Sequence, residues 1–175
     1  MTNNLRNTIT LFCLCFSIVI CGQSNDEVIR NTAKTVLPSF FPLAKRDFIR
    51  LSSAYGYRKH PISAKIRKHE GIDLVAKTGK PVFASARGIV VKNDKHTQYG
   101  NRVVIAHSKN IQTLYAHLSK TFVKYGQIIE EGEILGQVGQ TGRATGPHLH
   151  YEILVNRKKI DPIVFWNIVN KENGS

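Results

Sequence analysis

The feature that most constrains this chain is a series of short, β-branched runs separated by glycine, which begins near residue 51. The clearest runs lie at residues 81–84, 88–92, 102–106, 113–117, 134–138 and 150–155. Runs of this length at such close spacing, with almost no helical periodicity, are typical of short strands joined by tight turns. The sequence therefore predicts an all-β or β-rich domain, mostly antiparallel, with no more than a helical turn at residues 164–170.

The 175 residues divide into four segments. Residues 1–22 have the layout of a secretory signal, because Arg6 precedes an apolar run at 9–20 that is shorter than the ~20 residues of a spanning helix. Residues 23–45 are predicted to be a leader, in which Asn25 caps a short helix that ends near Val36 and two prolines prevent its continuation. The folded domain is predicted at 46–168, and a C-terminal tail at 169–175.

Two routes of signal cleavage fit the N-terminal segment. Cys21 follows an apolar stretch that loosely resembles a lipoprotein box, which would attach the chain to a membrane through a lipid on its sulfur. Ordinary cleavage near Gly22 would instead leave a domain without cysteine, since all three cysteines precede that point. Both routes predict export to the periplasm, the cell envelope or the medium. Neither leaves a disulfide, so the stability of the domain must come from packing.

The histidines carry the candidate chemistry. His69 and Asp73 are four residues apart in a glycine-containing stretch, where an extended chain places both on one face. His148 and His150 share a strand face by the same period of two, opposite an apolar face at 149, 151, 153 and 155. Two imidazoles and one carboxylate, here His69, Asp73 and His150, form a common catalytic zinc set that leaves one position for water and lowers its pKa. The alternative is that these are ordinary core or surface histidines.

Several sequence blocks resemble one known family. They are SAYGYRKHPI at 53–62, HEGID at 69–73, YGN at 99–101, LYAHL at 114–118 and GQTGRATGPHLHYE at 139–152. Together they resemble the lysostaphin-type (LytM-like) zinc metalloendopeptidases, which hydrolyse peptidoglycan peptides, over 116 of the 175 residues. The resemblance implies a mostly antiparallel β-domain with the metal in a groove.

The resemblance also implies roles for particular residues. His69, Asp73 and His150 would bind one zinc ion per domain, while His117 and His148 would be the catalytic histidines. The substrates would be peptide cross-links or stem peptides of peptidoglycan. A second function stays open, since some relatives have lost metal ligands and act as catalytically silent regulators that bind the wall or activate another hydrolase.

The net charge of +13 predicts an anionic partner or surface. Nucleic acid is not expected, because the basic residues are scattered and no nucleic-acid motif occurs. Basic clusters at 65–68 and 157–159 flank the candidate site, where a cationic rim would attract the carboxylates of peptidoglycan; solubility is the simpler alternative. We expect a monomer.

Three further features carry weaker predictions. The glycine-spaced segment 126–136 resembles a hairpin of biotinyl or lipoyl carriers, but it lacks their lysine turn flanked by methionine, so it predicts similar architecture and disfavours a carrier role. Glu152 is predicted either to orient an imidazole or to form a surface ion pair. Asn101 is predicted to support the site or to make a turn, and His96 and His107 are predicted to be solvated loop residues.

Overall fold

A computed structural model of the protein describes residues 36–59 and 66–173. Outside these ranges lie the predicted signal at 1–22 and, except for Val36, the predicted leader helix at 25–36. His60 of the SAYGYRKHPI block also lies outside them. No helix in the described ranges is long and apolar enough to cross a membrane.

The strand-rich prediction is confirmed, and each of the six predicted runs overlaps a strand. The strands are β1 (Arg50–Ser53), β2 (Gly56–Lys59), β3 (Ile66–His69), β4 (Ile72–Val75), β5 (Pro81–Phe83), β6 (Gly88–His96), β7 (Gly100–Ala106), β8 (Ile111–Leu118), β9 (Lys120–Thr121), β10 (Ile128–Ile129), β11 (Ile134–Gln137), β12 (His148–Val155) and β13 (Lys158–Ile160). Helix α1 (Pro162–Asn173) follows them and extends the predicted helical turn in both directions.

The strands form one large sheet, one small sheet and a hairpin, and all their pairings are antiparallel. The large sheet has the order β1-β4-β12-β8-β7-β6-β10, with β13 also paired to β12. The small sheet has the order β5-β11-β9, and β2 pairs with β3. Within the segment 126–136, β10 joins the large sheet and β11 the small one, so these two strands do not pair with each other.

The core covers one face of the large sheet. Leu149, Tyr151 and Ile153 of β12 are fully buried there, together with Val82 of β5 and Leu135 of β11 from the small sheet. Because side chains alternate along a strand, the even-numbered residues of β12 occupy the other face. The predicted division of β12 into an apolar face and a histidine face is therefore present in the fold.

The compact unit that contains the strands includes residues 36–45, which precede the predicted domain boundary at residue 46. Leu43 is 3% exposed, and the ring of Phe41 lies 5.4 Å from that of Trp166 on α1. The backbone carbonyl of Pro38 accepts a 2.9 Å hydrogen bond from the Trp166 indole. This segment therefore packs with α1.

His96 and His107 are not solvated loop residues. His96 ends strand β6, and His107 is buried directly after β7. The Nδ1–H of His107 donates to the Arg87 carbonyl at 2.8 Å, and its Nε2 lies 2.8 Å from the Thr113 hydroxyl. Polar neighbours in the sequence suggested exposure, but these partners allow the imidazole to be buried at little cost.

Candidate metal centre

The pairing of β4 with β12 places Asp73 directly opposite His150. On the same end of the sheet, β1 pairs Ser53 with Asp73, and His69 ends the neighbouring strand β3. The close approach of the chain to β12 requires glycine at position 71, because a Cβ there would lie 2.3 Å from the Tyr151 carbonyl oxygen. Strand register therefore brings together residues that are 77 positions apart in sequence.

The donor atoms of His69, Asp73 and His150 form a small triangle. His69 Nε2 lies 3.2 Å from Asp73 Oδ1, His150 Nδ1 lies 2.8 Å from the same oxygen, and the two nitrogens are 3.1 Å apart. Ligands about 2.0–2.1 Å from a tetrahedral zinc ion would be about 3.3 Å from one another. The triangle is close to that size, so this group fits a zinc ion.

The opposite nitrogen of each ligand imidazole has a hydrogen-bond acceptor. His69 Nδ1 donates to the Ala54 carbonyl at 2.8 Å, and His150 Nε2 donates to Glu152 Oε1 at 3.0 Å. With these outer nitrogens held by acceptors, His69 Nε2 and His150 Nδ1 are the nitrogens that face Asp73, and they would bind a metal ion once it displaces the protons they share with that carboxylate. Both rings are thus oriented for metal binding by contacts outside the triangle.

Charge in the triangle is stabilised by hydrogen bonding despite burial. Burial alone would raise the pKa of Asp73, but hydrogen bonds from His150 and His69 hold it well below its ordinary value. Burial alone would lower the pKa of His150, but its contacts with Asp73 and Glu152 raise it to about 9. Asp73 is therefore an anion at neutral pH, and the two carboxylates increase the basicity of His150.

Behind His150 lies a polar network that the sequence did not reveal. Glu152 is fully buried, accepts a 2.7 Å hydrogen bond from the Tyr99 hydroxyl, and lies 3.1 Å from the Lys159 ammonium. Lys159 also donates to the Tyr99 hydroxyl at 2.9 Å and to Glu70. Glu152 was predicted either to orient an imidazole or to form a surface ion pair. The structure shows the contact with the His150 imidazole, and the carboxylate that pairs with Lys159 is buried instead of lying on the surface. The sequence gives no signal for this role beyond the place of Tyr99 in the YGN block and of Lys159 in a basic cluster.

His117 and His148 lie beside the triangle, with ring centroids 4.7 Å apart. His117 Nδ1 donates to the Thr141 carbonyl at 2.7 Å, and His148 Nδ1 donates to the Gly146 carbonyl at 2.8 Å. Each ring therefore keeps its Nε2 clear of the carbonyl contact, and the Nε2 of His148 lies 3.6 Å from Asp73 Oδ1. Burial lowers the pKa of His117 to about 4, against the smaller opposite effect of Thr141. A neutral imidazole of this kind can accept a proton.

A backbone irregularity directs His117 toward the site. Strict alternation along β8 would place residue 117 on the same face as Tyr115, which belongs to the core. The register between β7 and β8 shifts between Asn101 and Val103, and His117 has a φ of 61°. Such a bulge re-aims a side chain, and backbone in this region is strained by roughly 1–3 kcal/mol. The sequence contained no signal for it.

All five residues predicted for the site line one cavity of about 420 Å³, together with His69's neighbours Arg67, Lys68 and Glu70. Asn101 does not line it; its amide donates to the Leu118 carbonyl at 2.9 Å, and its backbone N–H donates to the Thr141 hydroxyl at 3.0 Å. Asn101 therefore supports the 139–146 loop, from which His117 obtains its carbonyl partner.

Comparisons with known proteins point to one family. The sequence profile of Peptidase family M23 matches residues 67–162. The DD-carboxypeptidase/endopeptidase Mpg of Neisseria meningitidis is 47% identical over 116 residues, which cover 66% of this chain and 27% of that protein. The peptidoglycan DD-endopeptidase ShyC of Vibrio cholerae is 45% identical over 136 residues, covering 77% of this chain and 30% of that protein. The chain thus matches less than a third of the length of these curated relatives.

Solved structures show the same fold. The catalytic domain of lysostaphin from Staphylococcus simulans superposes with a TM-score of 0.62 at 31% identity, over 67% of this chain and 92% of that one. A zinc-containing peptidase from Vibrio cholerae superposes with a TM-score of 0.66 at 36% identity, over 73% of this chain and 39% of that one. The chain therefore matches nearly the whole length of the lysostaphin catalytic domain but less than half of the Vibrio cholerae peptidase.

Proposed function

This chain belongs to Peptidase family M23, and we propose that it is a zinc-dependent endopeptidase that cuts peptide cross-links or stem peptides of bacterial peptidoglycan. The observation that carries the proposal is the triangle of His69, Asp73 and His150 donor atoms, with edges of 2.8–3.2 Å, in one cavity with the imidazoles of His117 and His148. The names of Mpg and ShyC, a carboxypeptidase/endopeptidase and a peptidoglycan endopeptidase, supply the substrate class.

In this proposal His69, Asp73 and His150 hold one zinc ion. Zinc bound there would supply Lewis acidity toward the scissile carbonyl and would lower the pKa of a water molecule. The protein's own contribution is to fix the ligand positions. The Ala54 carbonyl and Glu152 orient the two rings, so that little reorganisation is needed on metal binding.

His117 and His148 are proposed to move the protons. Each has its Nδ1–H held by a backbone carbonyl, so its Nε2 is available to accept a proton from the attacking water. The protonated imidazole would then stabilise the negative charge that develops on the carbonyl oxygen as its carbon becomes tetrahedral. It would next donate its proton to the nitrogen of the leaving amine. Proton transfer of this kind contributes typically about 10²–10⁴-fold in rate.

The alternative is a catalytically silent regulator that binds the wall or activates another hydrolase. What supports catalysis is that all five residues are present and line the same cavity. A silent regulator needs neither the proton-accepting imidazoles nor the metal. The two functions therefore differ in how the protein responds to loss of His148.

The test compares two substitutions on one strand, His148→Ala and His150→Ala. We expect His148→Ala and His117→Ala to retain about one zinc per chain while losing most hydrolysis of purified cell wall, and His150→Ala to lose both. Zinc is measured by elemental analysis, and released muropeptides by mass spectrometry on Gram-negative and Gram-positive walls. If the zinc-loaded wild-type protein releases nothing from either wall, the enzymatic proposal is wrong. If His148→Ala loses its metal as fully as His150→Ala, the division of roles is wrong.

We also propose that the protein is exported and acts in the cell envelope as a monomer, since one chain supplies every residue of the site. Expression from the native start in a bacterial host should yield a product lacking residues 1–20. Incorporation of labelled fatty acid that disappears in Cys21→Ser would identify a lipoprotein, and its absence would favour ordinary cleavage. A full-length product in the cytosol would contradict both routes.

A further inference from the structure

The charged groups that line the cavity fall into two classes. The three acidic residues, Glu70, Asp73 and Glu152, all have cationic or imidazole partners. Glu70 and Glu152 contact Lys159, and Asp73 contacts His69 and His150. The acidic side chains are therefore already engaged within the protein.

The basic residues of the cavity are less engaged. Lys68 places its ammonium 5.1 Å from the centroid of the Tyr55 ring. Arg67 and Arg143 are exposed, and within residues 36–59 and 66–173 their guanidinium groups have no hydrogen-bond or ion-pair partner. Two uncompensated cations thus face the same groove as the candidate metal ligands.

The backbone around each arginine fixes where its side chain starts. Arg67 is two residues before His69 on β3, so both project from one face of that strand. The backbone N–H of Arg143 donates to the Gln98 carbonyl at 2.8 Å. The preceding Gly142 has a φ of +73°, and a Cβ there would lie 2.3 Å from the Gly100 nitrogen. The 142–143 turn is therefore held tightly against the 98–100 turn while the guanidinium stays available.

We propose that Arg67 and Arg143 form a carboxylate-binding subsite, which selects peptides that carry a free carboxylate close to the scissile bond. This inference rests on the proposed function and narrows its substrate class. A guanidinium presents paired N–H donors that match the two oxygens of a carboxylate, so it recognises that group with a defined orientation. A neutral amide at the same substrate position would leave the arginine without an anionic partner.

The inference predicts a preference that can be measured without turnover. The probes are two cross-linked stem-peptide dimers that differ only in having free or amidated carboxylates next to the bond. Binding is measured by calorimetry on zinc-loaded protein carrying His117→Ala, in which cleavage is slow enough for an equilibrium measurement. We expect the free-carboxylate dimer to bind at least about tenfold more tightly, since hydrogen bonds to charged groups are each worth about that factor.

Adding Arg143→Gln or Arg67→Gln should reduce this preference, and the double substitution should bring the affinity ratio close to one. The matched control is Arg46→Gln, which removes an exposed guanidinium that does not line the cavity. It changes the net charge equally and should leave the ratio unchanged. In wild-type protein the same preference should appear mainly as a lower KM for the free-carboxylate dimer than for the amidated one.

A ratio close to one before the arginines are changed would overturn the inference. So would a ratio that survives the double substitution, since the carboxylate would then be bound elsewhere, for example by the metal. Equal loss in Arg46→Gln would mean that net charge alone attracts the substrate. Hydrolysis of both dimers by wild-type protein with equal kcat/KM would refute the subsite but keep the proposed function. Hydrolysis of neither dimer would refute the proposed function and leave the binding ratio to decide the subsite.

Discussion

Replacing Gly71 with alanine should weaken zinc binding although Gly71 supplies no ligand. The added Cβ would lie 2.3 Å from the Tyr151 carbonyl oxygen and 2.8 Å from Glu152 Cγ, whereas Cβ contacts below 3.0 Å essentially do not occur. The chain leading into β4 must therefore move away from β12 by roughly 0.7 Å or more, which is the difference between the 3.0 Å limit and the 2.3 Å contact with the Tyr151 carbonyl oxygen. Asp73 lies on β4 and His150 on β12, so this movement separates two members of the donor triangle.

The expected magnitudes follow from that displacement. Metal–ligand distances are held to about ±0.2 Å, so a shift several times larger should weaken zinc binding by at least about tenfold. Overpacking of this kind costs about 1–3 kcal/mol of unfolding free energy, which corresponds to a lowering of Tm by roughly 3–10 °C for a unit of this size. Zinc affinity is measured by competition with a chromophoric chelator, and Tm by calorimetry on metal-free protein.

Gly146→Ala is the matched control, because a Cβ at position 146 meets nothing within 4 Å. It makes the same chemical change beside His148 and should leave both zinc affinity and Tm close to those of the wild type. Two results would refute the reasoning. One is a Gly71→Ala protein that binds zinc as tightly as the wild type; the other is a Gly146→Ala protein that is impaired to the same degree.

Three further predictions concern the surroundings of the site and the fold. Glu152→Gln should weaken zinc binding about 10–100-fold with little change in the fold, because the amide can still accept a hydrogen bond from His150 but carries no charge. Chelator competition measures the zinc affinity, and circular dichroism checks the fold. Burial lowers the pKa of His107, so the unfolded chain binds a proton more readily than the folded chain does. The stability that neutral His107 contributes above pH 6.5 should therefore be lost as the pH falls below 6.5. His107→Gln should show a smaller loss between pH 6.5 and 5 in denaturant titrations, and an equal loss would contradict the sign. A chain that starts at Arg46 should lose about 2–5 kcal/mol of unfolding free energy relative to one that starts at Val36, because it lacks the buried Leu43; thermal unfolding of both chains checks this.

Local patterns in the sequence were sufficient for six of the strands and for the two faces of β12. Alternation along a strand is a property of the backbone itself, so the apolar residues at 149, 151 and 153 identify the core face without knowledge of the partner strands. The same period predicted that His148 and His150 would share the opposite face. The motif blocks added the five candidate residues, and the fold brings all five into one cavity.

Other features depend on contacts between distant segments, which no local pattern records. The extension of the folded unit to Val36 depends on where α1 packs, and the burial of His107 depends on the Arg87 carbonyl. The polar environment of Glu152 depends on Lys159, which approaches from a different strand. In each case the residue type is known from the sequence, but the residue that it contacts depends on how the sheets and α1 pack together.

The sequence by itself determined that this chain forms a β-rich domain and that two imidazoles lie on the polar face of one strand. Only the tertiary structure decided which atoms meet. The register of β4 against β12 sets the 2.8 Å contact between Asp73 and His150, and the bulge in β8 turns His117 from the core side to the cavity. The physical reason is that strand alternation is enforced by each residue's own backbone, whereas register and bulges are set by pairing and packing across the whole sheet.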